Sequence, residues 1–472
     1  MYAEIARIDK TLRPYQQDAK VNIFTSWDEC KYILFQMPTG TGKTRLFTSI
    51  ISDIKAWSIK NNIESKILII AHRVELIEQI SESLGKYKVT HGVIAGGKER
   101  SLRAQVQVAS IQTLTHHNNM DAARSLNADF IIIDEAHHST ANSYKKLWEM
   151  YPVAKILGVT ATPWRMNHRG FSEIYDKLLI SQSIHNFIEQ GWLAPYSYYS
   201  VRDDSVIRKN IDNIDEFDTE GDYKISALEK VMDSGSIRAN LLDSYLKLAK
   251  GKKGIIYSVS RKHSDHICEE YRKVGVNIVR IDSETPREER RIYVQRFKNG
   301  QIDIIVNVDI FSEGFDCPDI EFIQLARPTK SLVKYLQQVG RGLRPTKGKS
   351  KCLILDNVGA HLEFSLPDAD RDWNAEFIGD DNISRKKIST SILKASFDPV
   401  ERSYEEGHDS LQLIEDIHST VDVMSPSWSE DDDVLIKTLF VDRCCPISII
   451  ASVFNREEAE VLTRIEELKL KN

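Results

Sequence analysis

Short apolar runs recur along the chain, each followed by a polar tip and then by a stretch with helical spacing. In the first part they are Tyr32-Ile33-Leu34-Phe35, Ile67-Leu68-Ile69-Ile70-Ala71 and Phe130-Ile131-Ile132-Ile133, and residues 105–113 and 154–163 repeat the pattern. A run that is apolar at every position, not at every second one, belongs to a strand covered on both faces. Helices between such strands then form the crossovers of a parallel sheet. Residues 74–84 have the spacing of one such amphipathic helix. From about residue 184 to 223 the pattern loosens, as expected where one domain passes to the next. A second series of strands is predicted at 254–258, 276–281, 303–308, 322–326 and 351–356, again with helical segments between most of them. The expected fold is α/β, with two tandem parallel-sheet lobes over 1–195 and 224–365 joined by a crossover at 196–223. Residues 366–427 read as a polar and then acidic linker. Residues 428–472 read as a module of three short helices: Ser429 is its N-cap, Asp432 stands at the capping-box position, Pro446 opens the second helix and Asn455 the third.

Composition narrows the class. With 41% hydrophobic and 28% charged residues, the 472-residue chain matches a soluble protein able to bury a core in each lobe. No run approaches the ~20 apolar residues of a membrane span. Residues 1–7 lack a signal-peptide core, so neither a membrane partner nor export is expected. The six cysteines form no C-x-x-C pair, which points to free thiols in a reducing cytoplasm and not to zinc. His116-His117 and His137-His138 have no third or fourth ligand at useful spacing, so no metal is assigned to them. The net charge of −6 is unevenly spread: residues 398–433 hold twelve acidic side chains and one arginine, leaving +5 on the remainder. A weakly basic body with an acidic appendage is compatible with binding a phosphate backbone.

The chemistry centres on Gln36-Met37-Pro38-Thr39-Gly40-Thr41-Gly42-Lys43-Thr44, between a predicted strand and a predicted helix. Gly40 and Gly42 allow a tight turn in which the N–H groups around Thr41 point at phosphate oxygens, and the following helix adds its positive end. Lys43 is placed to reach the β and γ phosphates of ATP, and the Thr44 hydroxyl to ligate Mg²⁺. Met37 stands where the general pattern has its first glycine. Upstream, Arg13-Pro14-Tyr15-Gln16 reads as a helix start, and the planar amide of Gln16, beside Arg13, suits an adenine edge. At the end of the strand predicted over 130–133, Asp134 suits Mg²⁺, and Glu135 suits orienting the attacking water. The hydroxyls of Thr160 and Thr162 are candidates for coupling these carboxylates to a second surface. An ordinary strand exit is the alternative. Arg73, at a strand tip, is either a nucleic-acid contact or a solvated helix start, and Ser110 repeats a strand-then-hydroxyl pattern suited to backbone phosphates. In the second series, Arg341 and Arg344 lie three apart on what reads as a glycine-punctuated helix, able to bring positive charge to one cleft.

Taken in order, these segments resemble the motifs of a superfamily 2 helicase or translocase over roughly residues 10 to 360, a specific ordered set. The resemblance implies two tandem RecA-like lobes, ATP and Mg²⁺ as cofactors, and nucleic acid as partner. It makes Gln16 the adenine-reading motif, Lys43 and Thr44 motif I, and Arg73 motif Ia. Asp134-Glu135-Ala136-His137 becomes the DEAH form of motif II, with His137 coupling, and Thr160-Ala161-Thr162 becomes motif III. Ser258 and Ser260 fall at motif IV, Gly314 and Asp316 at motif V, and Gln337, Arg341 and Arg344 at motif VI. The wording around Gly314-Phe315-Asp316 and Gly340-Arg341-Gly342 is similar to RadD-like DNA-repair helicases, which favours DNA over RNA. Two departures stand out. Val308 occupies a position where many relatives place a phosphate-contacting threonine, leaving Asn307 or main-chain N–H to serve, and the cysteine-rich zinc region of RadD-like proteins is absent.

The carboxyl-terminal module resembles a Myb/SANT-like helix-turn-helix. Its third helix sets Glu457, Glu458, Glu460, Glu466 and Glu467 against Arg456, Arg464 and Lys469, which favours docking a protein over reading DNA. An ATP-gated sensor or assembly subunit that does not separate strands is the alternative to a motor. The acidic segment is expected to compete with nucleic acid for the basic remainder. Deleting residues 398–424 should therefore raise nucleic-acid affinity at low salt, measured by fluorescence anisotropy, and an unchanged affinity would refute the competition.

Overall fold

The computed structural model describes residues 2–96, 103–116, 120–139, 142–167, 169–203, 205–308 and 317–379, and, further on, 433, 436–442, 447, 450, 451 and 458–470. The chain divides into two compact units. No described helix is long and apolar enough to cross a membrane.

The first unit is built on seven strands: β1 (Tyr32–Gln36), β2 (Ile67–Ala71), β3 (Gly92–Ile94), β4 (Val106–Ser110), β5 (Phe130–Asp134), β6 (Lys155–Thr160) and β7 (Lys177–Ile180). They lie in the order β3-β4-β2-β5-β6-β1-β7, with every pairing parallel. All residues of β2, β4 and β5 are buried, the apolar runs of β2 and β5 together with the polar Gln107 and Ser110 of β4, as in strands covered on both faces. Helix α1 (Pro14–Glu29) precedes the sheet, while α2 (Lys43–Asn61), α3 (Val74–Lys86) and the short α4 (Ile111–Thr115) follow β1, β2 and β4. Lys20 of α1 is fully buried against Asp53 of α2 at 2.8 Å and also donates to Ser49 at 3.1 Å, so an ion pair with its own hydrogen bonds fixes α1 on the helix that begins at the glycine loop.

The second unit carries six strands: β8 (Tyr196–Ser200), β9 (Gly254–Tyr257), β10 (Ile278–Ile281), β11 (Ile304–Asn307), β12 (Phe322–Leu325) and β13 (Cys352–Asp356), in the parallel order β10-β11-β9-β12-β13-β8. The two sheets with their interleaved helices form the expected α/β fold of tandem RecA-like lobes.

Two expected boundaries are corrected. Residues 196–223 are not a free crossover. Their first segment is β8, an edge strand pairing Tyr196–Ser200 with Cys352–Asp356. Their end holds Asp222, which accepts from the Lys330 N–H and the Lys334 ammonium, both at 2.8 Å. Burial alone would raise the Asp222 pKa, but Lys334 and the neighbouring donors hold it below its ordinary value. Likewise, the expected linker from 366 does not begin as a linker. The chain returns to the first unit, where the helix Trp373–Ile378 lies against β7. The Phe377 carbonyl there accepts from the N–H groups of Phe171 and Ser172 at 2.7 and 3.1 Å. Gly170 permits this approach, because a Cβ there would lie 2.4 Å from the Ile378 backbone.

Among the described residues of the carboxyl-terminal module, Ile436, Leu439, Ile450, Ala451, Val461 and Ile465 form one buried cluster, and a helix spans Glu458–Glu467. Ser429, Asp432, Pro446 and Asn455, expected as its helix starts, lie outside the described residues, as does the acidic segment up to residue 432.

The returning segment is packing and not tether. Phe377 joins the core cluster of the first unit with Phe171 and Tyr175, whereas Ile378 is 64% exposed. Phe377→Ala should lower stability by about 3 kcal/mol in urea unfolding followed by tryptophan fluorescence, and Ile378→Ala should stay within about 0.5 kcal/mol of the wild type.

Candidate active site

In the first sheet β5, β6 and β1 are neighbours, so their carboxyl ends lie side by side. Position 37 follows β1, and its N–H donates to the Thr160 carbonyl at the end of β6, 2.8 Å away. Met37 is fully buried; the residue standing in for the missing glycine is a core side chain at the root of the loop. Gly40 and Gly42 have φ of +87° and +95°, the left-handed conformation that favours glycine, and Gly42 is the N-cap of α2. The Thr41 side chain turns inward and donates to the Pro38 carbonyl at 2.7 Å. Lys43 and Thr44 open α2, so the lysine, the hydroxyl and the helix N-terminus share one end of the helix.

Across the loop, Asp134 ends β5 and Glu135 follows it in the left-handed region at φ +50°, an uncommon backbone state for a residue with a side chain. The Asp134 carboxylate accepts from the Glu135 N–H at 3.1 Å. The Glu135 carboxylate lies between two cationic or polar neighbours, with Lys43 Nζ 3.6 Å from one oxygen and His137 Nδ1 3.4 Å from the other. The same His137 nitrogen is 3.1 Å from Thr160 Oγ1, and that hydroxyl accepts from the Thr162 N–H at 3.1 Å. Lys43, Glu135, His137, Thr160 and Thr162 are thus brought together as expected of a phosphoryl-transfer site. The Thr44 hydroxyl and the Asp134 carboxylate are hard oxygen donors suited to Mg²⁺. Among the described residues no group of three or more His, Cys, Asp or Glu forms a metal cage of its own.

The amide of Gln16 is engaged differently from the expectation. Its nitrogen donates to the carbonyls of Thr41 and Gly42 at 3.2 and 3.1 Å, and its oxygen accepts from the Arg13 N–H at 2.9 Å. Both ends of the amide serve the glycine loop and the start of α1, so Gln16 braces the loop. Tyr15, unremarked in the sequence, supports the same loop: its hydroxyl donates to the Thr41 carbonyl at 2.7 Å and accepts from Arg13 at 2.9 Å. Its ring packs on Phe187 and Trp192, and the Arg13 guanidinium lies 4.9 Å from the Trp192 ring. The cue available in the sequence was the tyrosine beside Gln16 on the first turn of α1.

The expected nucleic-acid contacts fare unequally. Arg73 is partly exposed at the N-cap of α3. Ser110 is buried as the N-cap of α4, and its hydroxyl donates to Gln112 at 2.7 Å. In the second unit Ser258 and Asn307 are each 1% exposed. The Ser258 hydroxyl is shared with Ser264 at 2.6 Å and donates to the Asn307 carbonyl, so interior bonding occupies it where phosphate contact was expected. Ser260 caps the helix Arg261–Lys273 through the His263 N–H at 3.2 Å. Gln337 and Arg341 are buried on the helix Leu332–Gly342. That helix ends before Arg344, so the two arginines do not share a helix face as expected; both nonetheless lie near the buried Tyr257 hydroxyl, opposing the upward pKa shift that burial imposes on it. Gly314 and Asp316 lie outside the described residues.

Comparison with known proteins defines the class. Residues 9–165 match the family described as type III restriction enzyme, res subunit, and residues 237–346 match the helicase conserved C-terminal domain. The chain belongs to the superfamily 2 helicases, ATP hydrolases whose action depends on ATP. A 51.5 kDa protein of Lactococcus phage (isolate 7-9) is 34% identical over 77% of this chain and 73% of its own length. IRC3 of Saccharomyces cerevisiae, named as a candidate ATP-dependent helicase, is 32% identical over 74% of this chain and 52% of its own length. The DNA 3′-5′ translocase XPB2 of Sulfurisphaera tokodaii is 26% identical over 73% of this chain and 80% of its own. Among solved structures, a fragment of a candidate HsdR subunit of a type I restriction enzyme from Vibrio vulnificus YJ016 shares the fold, with a TM-score of 0.61 at 22% identity over 80% of this chain and 69% of that one. The chain thus spans about three quarters of the phage protein and about half of the yeast one.

The brace makes position 42 sensitive. A Cβ there would lie 2.5 Å from the Gln16 amide nitrogen, on a backbone at φ +95°. Gly42→Ala displaces the bracing amide and strains the left-handed backbone of the loop, and a misplacement of about 1 Å costs on the order of 10²-fold in rate. A drop of that size in kcat/KM for ATP, with an unchanged circular dichroism spectrum, is the expected result of steady-state assays.

Proposed function

We propose that the protein is an ATP-driven motor on DNA. The observation that carries this reading is the convergence of Lys43, Glu135, His137 and Thr160 at three adjacent strand ends of the first lobe, in a chain related to a protein named as a DNA translocase. Lys43 and the N–H groups of the glycine loop bind the ATP phosphates, and Thr44 with Asp134 holds Mg²⁺, which neutralises phosphate charge. Glu135 orients the attacking water. Gln337, Arg341 and Arg344 supply the second lobe's positive and polar groups, as the helicase family implies, and the same resemblance assigns Gly314 and Asp316 to nucleotide binding. His137, Thr160 and Thr162 couple hydrolysis to DNA contacts, of which Arg73 is the exposed member. Repair or defence is the setting that the RadD-like wording and the restriction-enzyme family favour.

The carboxyl-terminal module is proposed to dock a protein partner. Its Arg464 is held by Asp433 and Glu467, both at 2.7 Å, so this guanidinium is occupied by carboxylates instead of being presented to phosphate.

ATP hydrolysis measured with single-stranded DNA, duplex, forked duplex or RNA, against a Glu135→Gln blank, tests the motor. Stimulation of kcat by about tenfold or more with at least one DNA, exceeding that with RNA, is expected. Hydrolysis indifferent to every nucleic acid would replace the motor with a partner-gated switch.

A further inference from the structure

The expected DNA face and Glu135 are connected by a chain of contacts that the helicase motifs do not name. His72 stands between the end of β2 and Arg73, the N-cap of α3. Its carbonyl accepts from Gln112 Nε2 at 3.0 Å, and Gln112 in turn accepts from the Ser110 hydroxyl, so the loops after β2 and β4 are bonded to each other. The ring of His72 lies against that of His138, centroids 4.1 Å apart and planes tilted by 51°. His138 lies against His137 in the same manner, at 4.2 Å and 43°. His137 closes the path with Nδ1 3.4 Å from the Glu135 carboxylate and 3.1 Å from Thr160 Oγ1.

Three imidazoles in ring-to-ring contact thus run from the loop that presents Arg73 to the carboxylate that orients water. The middle ring is exposed, while His137 is buried. Burial and its hydrogen bonds fix His137, and the rings of His138 and His72 continue the contact outward to the loop. The backbone at Glu135 is in a strained state, which makes the direction of its carboxylate depend on the neighbours that hold it. Those neighbours are Lys43 on one side and His137 on the other.

We propose that His72 and His138 are positioning residues, and that their ring contacts transmit DNA contact at the Arg73 loop to His137, setting how His137 holds its oxygen of the Glu135 carboxylate. The proposal rests on the motor reading above. Displacement of Arg73 toward a phosphate carries its neighbour His72 with it. The stack moves the His137 ring, and Glu135 is redirected without any change in the groups that bind ATP.

The test compares His138→Leu, which keeps volume but removes the ring, with His138→Phe, which restores a ring without imidazole nitrogens. His72→Leu serves as an independent variant at the other end of the stack. Each is assayed for kcat and KM for ATP with and without DNA, and for DNA affinity by anisotropy. Both leucine variants should lose about tenfold of the DNA-stimulated kcat, while basal kcat, KM for ATP and DNA affinity stay within about threefold of the wild type; His138→Phe should recover most of the stimulation. Full stimulation in His138→Leu would overturn the stack as the coupling element. So would a His138→Phe variant as impaired as His138→Leu, since it would assign the effect to the imidazole nitrogens. A wild type that DNA does not stimulate would overturn the motor reading itself and the coupling with it.

Discussion

The parallel order of β5, β6 and β1 is the constraint on which the site depends. Parallel strands joined by helical crossovers bring all their carboxyl ends to one edge of the sheet, and ligands of such sheets bind beyond that edge. The hydrogen bond from the Met37 N–H to the Thr160 carbonyl fixes the root of the glycine loop against the end of β6, and the register of β5 on β6 then sets Asp134 beside Val159. Given these two connections, Lys43 at the head of α2 and Glu135 after β5 need no further device to meet. Slipping either strand by one residue would exchange the two faces of its side chains and carry Asp134 and Glu135 along the sheet edge, so the register that packs the sheet also specifies the site.

Two local arrangements refine what the sheet provides. The loop is braced from outside by α1, whose Tyr15 and Gln16 both donate to loop carbonyls, and α1 is itself fixed to α2 by the buried pair of Lys20 and Asp53. Using carbonyls for the brace is economical, because it leaves the loop's N–H groups to phosphate. The second arrangement is the left-handed backbone at Glu135. Such a state costs a residue with a side chain about 1–3 kcal/mol and persists where the surroundings fix it. Here the Asp134 carboxylate accepts the Glu135 N–H, and Lys43 and His137 approach the side chain.

Much of this was legible in the sequence because burial on both faces favours apolar runs: all ten expected strands are found, and the thirteen described strands add β3, β7 and β8. β8 was not legible, because Tyr-Ser-Tyr-Tyr-Ser carries no apolar run. Two of its buried polar side chains bond to a distant residue, with Ser200 and Tyr198 both donating to Asp356 at 2.8 Å. The glycine loop, the carboxylates and the motif III threonines were legible because their chemistry needs particular residue types at strand ends. The bracing role of Gln16 was not legible for the same reason that β8 was missed: an amide or hydroxyl can bond to protein or to ligand, and the sequence does not say which. Ser258 shows this most clearly, being placed by the motif pattern on a strand exit yet turned inward onto Ser264.

The two sheets therefore use their polar strand ends in opposite ways. In the second unit several polar groups at the strand ends bond to one another: Ser258 pairs with Ser264, and Asp356 accepts from Tyr198, Ser200 and the N–H of Ala360. Burial would raise the Asp356 pKa, but His361, the Ala360 N–H and Ser200 outweigh it and hold the carboxyl below its ordinary value. A carboxylate with that many donors is a structural anchor, complete without a ligand. In the first unit, by contrast, Glu135 lies at salt-bridge distance from a lysine that phosphate would claim, and the loop beneath it has its carbonyls braced. One sheet is closed on itself and the other is prepared for an anion, which is the division of labour required when only one of two similar lobes carries a phosphate loop.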